Sequence, residues 1–157
     1  MKSFLLSLAA LALCGACSQN TGVTSPDGTI RLAFAVDSAG RMTYSVTDGD
    51  VRLFEPSRLG FEAAEIGLGE GFAVENVSRT SVDETWTQPW GENKENRNHY
   101  NEMAVRLRND CGVRLTLRFR VFDDGLGFRY EYEVPGADSL RIMDEPVSYT
   151  HLTLPTN

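Results

Sequence analysis

Histidine occurs only twice and cysteine only three times in the 157 residues, and this scarcity removes most metal and thiol chemistry at the outset. His99 and His151 have no cysteine partners at zinc spacing, so no zinc site is expected. Asp48-Gly49-Asp50 and Asp123-Asp124-Gly125 are acidic but lack the alternating carboxylates of a calcium loop, and they read as turns. The chain also lacks a phosphate-binding glycine loop and a nucleophile elbow with its histidine and acid partners. A basic stripe is missing too. With a net charge of -7 and a pI near 4.8, the phosphate-neutralising attraction that dominates nucleic-acid binding is absent, and nucleic acid is not an expected partner.

One long apolar run is present, and it stands at the start. Lys2, the apolar stretch from Phe4 to Leu13 and the small Gly15-Ala16 have the layout of an export signal, too short to span a bilayer stably. Cys17 follows the small residues and precedes the polar Ser18-Gln19-Asn20-Thr21-Gly22, an arrangement that resembles the lipobox of bacterial lipoproteins. Residues 1–17 are therefore read as a lipoprotein signal with Cys17 as the lipidation site, and residues 18–24 as a tether. The expected location is the periplasm or outer membrane, held to the membrane by an N-terminal lipid. Plain secretion is the alternative, since Cys14 stands where that pattern has Leu, Val or Ile. Cleavage before Cys14 fits less well, because it puts Leu13 next to the cut. Once the signal is removed, Cys17 carries lipid and Cys111 alone cannot form an internal disulfide, so stability must come from a core.

That core is written in period-two alternation. Ile30, Leu32, Phe34 and Val36 fall on every second position, as do Met42, Tyr44 and Val46 after the turn at Ser38-Ala39-Gly40. Val51–Phe54 continues as a short strand, with Pro56 at an edge or corner because it has no ladder donor. Short strands follow at Phe61–Ala63 and Phe72–Arg79. The clearest pair is His99–Leu107 and Val113–Val121, joined by Asn109-Asp110-Cys111-Gly112, and a return strand runs from Phe128 to Val134. Placing Leu107 opposite Val113 puts Met103 against Leu117 and Glu102 against Arg118. Nothing after the signal shows a helical period, so the fold class is all-β, an antiparallel sandwich over residues 25–146.

Chemistry concentrates between Ser81 and Glu102, where both tryptophans and His99 stand among amides and carboxylates. A sugar ring offers apolar C–H faces and a rim of hydroxyls, which aromatic faces and amide or carboxylate groups hold. The same composition also describes two tryptophans capping a sheet edge beside a solvated loop. Asp83, Glu84, Glu92 and Glu102 include possible carboxylate pairs for glycoside chemistry, but their separations are not readable from sequence. His99 and Asn101 share the core-side face at the outer end of their strand, where they would line a cavity rim or, for His99, close the end of the sandwich.

Six stretches then carry a resemblance: Ser25-Pro26-Asp27-Gly28; Glu55-Pro56-Ser57 with Leu59-Gly60; Ser81-Val82-Asp83-Glu84-Thr85-Trp86; Trp90-Gly91-Glu92; Arg97-Asn98-His99-Tyr100-Asn101-Glu102; and Phe119-Arg120-Val121-Phe122-Asp123-Asp124-Gly125. In this order the chain resembles the N-terminal domain of glycoside hydrolase family 97, from about Ser25 to Pro146. The resemblance implies an exported bacterial α-glucosidase or α-galactosidase dependent on calcium. It also implies a β-super-sandwich like that of galactose mutarotase, packed against a (β/α)8 barrel. The family's catalytic carboxylates and most of its calcium ligands lie in or beside that barrel, so no catalytic residue and no metal ligand is assigned here. Trp86, Trp90, Glu92, Asn98, His99, Asn101 and Glu102 are the candidate pocket-rim or interdomain residues.

The expected partners are an α-linked oligosaccharide, the barrel and, through the lipid, a membrane. Residues 147–157 do not resemble the family's continuation and read as a non-native tail, with a genuine short tail as the alternative. A free-standing glycan-binding lipoprotein is the alternative function. An aldose epimerase on the same sandwich would need a catalytic histidine and glutamate, and only His99 qualifies.

Overall fold

The computed structural model describes residues 21–64, 66–137 and 139–145, which form eleven strands. The export signal with Cys17, the first part of the tether and the 147–157 tail lie outside the described residues. Thr21–Thr24, expected to end the tether, is instead strand β1, paired antiparallel with β2 (Ile30–Val36) from Thr21 opposite Phe34 to Thr24 opposite Arg31. Small polar residues suit this position because β1 is an edge strand, and only Val23 turns into the core.

β2 continues through the Asp37–Arg41 turn into β3 (Met42–Asp48), and β3 pairs with β4 (Val51–Leu59), giving a four-stranded sheet in the order β1-β2-β3-β4. β4 does not stop at Phe54. Its pairing jumps from Val46 opposite Phe54 to Tyr44 opposite Ser57, a bulge that passes Glu55 and Pro56 without asking Pro56 for a ladder hydrogen bond, and β4 is an edge strand.

The second four-stranded sheet runs β10-β9-β8-β7, from β7 (Phe72–Thr87), β8 (Glu95–Asn109), β9 (Arg114–Val121) and β10 (Leu126–Glu133). A third sheet of β5 (Phe61–Ala63), β6 (Gly67–Leu68) and β11 (Ile142–Asp144) packs Phe61 against Tyr130 at 4.6 Å and Tyr132 at 5.7 Å between ring centroids.

The two large sheets face each other across one core. Leu32, Phe34, Met42 and Val46 from the first meet Met103, Val105, Leu115, Leu117 and Phe119 from the second, all essentially removed from water. Phe34 and Phe119 bring their rings to 5.7 Å, and Tyr44 and Phe128 to 5.4 Å. The fold is thus all-β and antiparallel, with no helix among the described residues.

The β8–β9 register differs from the expectation by two residues: Leu107 faces Leu115, Met103 faces Phe119 and Glu102 faces Arg120. The turn decides this. Asn109 N–H donates to Val113 O at 3.0 Å and Gly112 N–H to Asn109 O at 3.0 Å, leaving Asp110, Cys111 and Gly112 as the loop, with Gly112 at φ 81°. The Asn109 side chain also accepts from Val113 N–H at 2.9 Å. Setting Leu107 against Val113 would have centred the three-residue loop on Asn109-Asp110-Cys111, placing Cys111 rather than Gly112 at the left-handed loop position. A slip of two keeps every side chain on its own face, so the expected core was unaffected.

Candidate functional site

β7 and β8, expected over Phe72–Arg79 and His99–Leu107, are longer, at 16 and 15 residues. They pair from Phe72 opposite Asn109 to Thr87 opposite Glu95, with one bulge at Glu75, whereas β9 accompanies β8 only as far as Asn101 opposite Val121. Beyond that point a two-stranded ribbon carries on alone, from Val82 and Tyr100 out to Thr87 and Glu95, with residues 88–94 as its tip. Polar residues line both faces here, and this is why alternation gave no sign of strand.

The ribbon separates residues that are neighbours in sequence. Trp86, Asn98 and Glu102 share one face with Val82, Glu84 and Tyr100, whereas His99 and Asn101 lie on the opposite, core-side face. Trp90 and Glu92 sit at the tip, Trp90 with 85% of its surface exposed. The seven candidates are thus divided between the two faces of the β7–β8 pair and its tip.

On the core-side face, Asn101 is fully engaged. Its amide donates to Thr24 O at 2.9 Å and accepts from the Ser81 hydroxyl at 2.6 Å. Arg79 Nε donates to Gly22 O at 3.0 Å, so two carbonyls of edge strand β1 are satisfied by side chains from the other sheet. These groups border a groove of about 630 Å3 lined by Gly22, Thr24, Arg31, Arg79, Ser81 and Asn101 among others. Asn101 is thus at a rim, but it works there as a latch holding β1.

His99 does not line that groove. Its Nδ1 stands 3.8 Å from Asp123 Oδ2, with a third of the side chain exposed. Asp123 Oδ1 in turn accepts from Asp27 N–H at 2.9 Å. Asp27 is held down to about 2 by hydrogen bonds from the Ser25 hydroxyl, then from Thr29 N–H and the Thr29 hydroxyl. The Ser25–Gly28 turn, His99 and the Asp123–Gly125 turn therefore converge at one end of the sandwich, although they are far apart in sequence. Asp27 spends its carboxylate on its own turn and Asp123 on its neighbours. Among the described residues, no group of three or more His, Cys, Asp or Glu side chains is placed to hold a metal ion, and this cluster offers no calcium cage.

On the outer face, Glu102 anchors an ion-pair ladder across three strands. Its carboxylate is 14% exposed and meets Arg118 at 3.0 Å and Arg120 at 2.8 Å. Arg118 continues to Glu131 at 2.8 Å, and Glu131 to Arg129 at 2.7 Å. Arg120 also lies 4.6 Å over the Tyr100 ring, which packs on Phe122. Burial pushes the Glu102 carboxyl up, but hydrogen bonds from Arg120 and Arg118 outweigh it and leave the group below its ordinary value. The expected contact between Glu102 and Arg118 exists, as a diagonal pair. Its partners make Glu102 a structural anchor. Tyr100 and Arg120 were missed by sequence reasoning, although both occupy the outward positions of alternating strands.

The ribbon shaft has a ladder of its own. Arg97 grips Asp83 through two hydrogen bonds of 2.7 and 2.8 Å, and Asn98 donates to Glu84 at 2.8 Å. Arg97 hydrogen bonding lowers the Asp83 pKa and raises that of Arg97 itself.

Comparison with known proteins places this geometry in context. The family described as Glycosyl-hydrolase 97 N-terminal matches residues 23–155, a span that runs on into part of the stretch expected to be non-native. The chain is 29% identical over 128 residues to a retaining alpha-galactosidase of Bacteroides thetaiotaomicron, covering 81% of this chain and 18% of that protein. It is also 29% identical over 120 residues to a probable retaining alpha-galactosidase of Streptomyces bingchenggensis, covering 76% and 18%. Among solved structures, a glycoside hydrolase family 97 enzyme from Pseudoalteromonas sp. strain K8, in complex with panose, superposes with a TM-score of 0.77 at 30% identity, covering 83% of this chain and 20% of that one. The chain thus spans about a fifth of the length of the relatives it matches.

Proposed function

The chain belongs to the N-terminal domain family of glycosyl hydrolase 97, and from that premise we propose that it is the accessory sandwich of an exported, exo-acting α-glycosidase, an α-glucosidase or α-galactosidase that degrades oligosaccharides. The observation that carries this reading is a match along about four-fifths of the chain to only about a fifth of each relative. In this reading the sandwich packs against a catalytic (β/α)8 barrel that supplies the reacting carboxylates, and any calcium is held outside the residues described here. Hydrolysis needs a paired acid and base or nucleophile flanking the scissile bond. The best-placed carboxylates, Glu102, Asp83 and Asp27, are each committed to structural hydrogen bonds.

The purified chain is expected to release no p-nitrophenol from the p-nitrophenyl α-glucoside or α-galactoside. Turnover above the buffer blank that persists through repurification would overturn the accessory reading. Export is proposed to end in acylation of Cys17. Expression in a bacterial host with labelled palmitate should label the chain, and Cys17→Ala should remove the label; labelling that survives the substitution would send the anchor elsewhere.

A further inference from the structure

The ribbon presents an unusual surface. Trp86 has 51% of its area exposed, and the positions around it on the same face are all polar. Asn96 is its direct cross-strand partner, Glu84 and Gln88 precede and follow it at strand spacing, and Lys94 and Asn98 lie on the diagonals. No apolar side chain shares the patch, so it lacks the contiguous hydrophobic area by which a protein surface usually docks. It offers instead one broad aromatic face ringed by amides, a carboxylate and an ammonium, the complement of a polyol with apolar C–H faces and hydroxyl edges.

The patch is also held in shape before any ligand arrives. Gln88 N–H donates to Lys94 O at 3.1 Å and the Gln88 side-chain amide to Asn93 O at 2.8 Å, which closes the tip. Below it, the Asp83–Arg97 and Glu84–Asn98 pairs tie the two strands of the shaft together. Cross-strand bonds of this kind hold the two strands in register beneath the indole, which lowers the ordering cost of binding.

We propose that the Trp86 face of the β7–β8 ribbon is a contact surface for an α-linked oligosaccharide, with the indole stacking on a sugar ring and Asn96, Asn98 and Glu84 addressing its hydroxyls. The inference rests on the accessory role proposed above and assigns it a ligand-facing element. Trp90 stands beyond this patch at the tip and contributes at most a second, looser contact.

Both tryptophans of the chain lie on the ribbon, so intrinsic fluorescence reports on this element alone. The full chain carrying Trp90→Phe keeps Trp86 as sole reporter and is titrated with maltotriose and, separately, raffinose, with glycerol at matched concentration as the solvent control. A saturable change in emission with a millimolar midpoint is expected for at least one sugar. The side-chain amide signals of Asn96 and Asn98 should shift along the same isotherm in a two-dimensional NMR spectrum. In Trp86→Ala those shifts should weaken by about tenfold in affinity, while the dispersed amide spectrum remains as proof of fold.

A flat titration with both sugars overturns the proposal. So does a response matched by glycerol, or one unchanged in Trp86→Ala. A ribbon blind to sugar but protected from solvent in a complete family enzyme carrying this domain would mark a protein-docking arm, which also overturns it. The glycosidase assay on the isolated chain is read independently, so a failure of the sugar contact leaves the accessory role standing.

Discussion

Replacing Phe119 with alanine is expected to lower the stability of the domain by about 3–5 kcal/mol, a large part of the 5–15 kcal/mol available to a domain of this size. Phe119 is fully buried on the core face of β9. It packs on Phe34 of the facing sheet at 5.7 Å and on Phe128 of the neighbouring strand at 5.9 Å, and it stands opposite Met103 in the β8–β9 ladder. Truncation removes the ring from all three contacts at once. The cavity cannot refill easily, because its walls are hydrogen-bonded sheets that resist moving toward one another. In a urea melt the midpoint should fall by about 2 M, taking a slope near 2 kcal/mol per molar. Phe119→Leu should recover more than half of the loss. Trp90→Ala, which removes an even larger side chain from an exposed tip, should change stability by no more than the scatter of surface substitutions, about 0.5 kcal/mol. A Phe119→Ala protein melting with Trp90→Ala would mean that the two sheets do not share the core described.

The contrast between these two positions also explains what the sequence could reveal. Strands β2, β3, β9 and β10 each bury one face, so their apolar residues recur at period two and their existence and facing are legible. The outer half of β7 and the part of β8 beyond Tyr100, residues 95–99, bury neither face. Val82, Thr85 and Thr87 alternate with nothing, and a strand without a buried side leaves no periodic trace. β1, β6 and β11 are too short for alternation to register. The β8–β9 register depended on the Asn109 side chain and the left-handed Gly112, a matter of loop geometry that the hydrophobic pattern does not encode, since slipping by two preserves that pattern.

Face assignment was hidden for a related reason. The seven candidates lie close together in sequence between Trp86 and Glu102, but a strand sends successive side chains to opposite faces, and Asn98 and His99 point away from each other. What did hold was the resemblance: its separate motifs, the Ser25–Gly28 turn, His99 with Asn101 and the Asp123–Gly125 turn, are brought to one end of the sandwich by the fold. Sequence identified the parts. Only the register, which depends on turns, could assign them to faces.

The second large effect is expected at a residue with no side chain. Gly40 sits in the β2–β3 turn at φ +72°, and a Cβ built on it would lie 2.3 Å from Phe72 N and 2.7 Å from Gly71 Cα. The backbone there is pressed against the start of β7, where Gly71 N–H donates to Ala39 O at 3.0 Å and Phe72 N–H to Gly40 O at 3.1 Å. Gly40→Ala therefore meets two penalties. The left-handed conformation costs a non-glycine residue about 1–2 kcal/mol. The overlap is with backbone, which cannot swing aside, so the turn must lift and both hydrogen bonds must lengthen or break, adding about 1–3 kcal/mol.

Gly28 separates the two terms. It has nearly the same conformation, φ +80°, but nothing lies within 4 Å of its hypothetical Cβ. Gly28→Ala should cost the conformational penalty alone. Measured side by side in urea, Gly40→Ala is expected to lose about two to three times as much stability as Gly28→Ala, and amide exchange at Gly71 and Phe72 should accelerate only in the former. Equal losses, with unchanged exchange at Phe72, would show that the β2–β3 turn does not hold the base of β7. The long ribbon would then be positioned by the Arg79 and Asn101 latches on β1 instead.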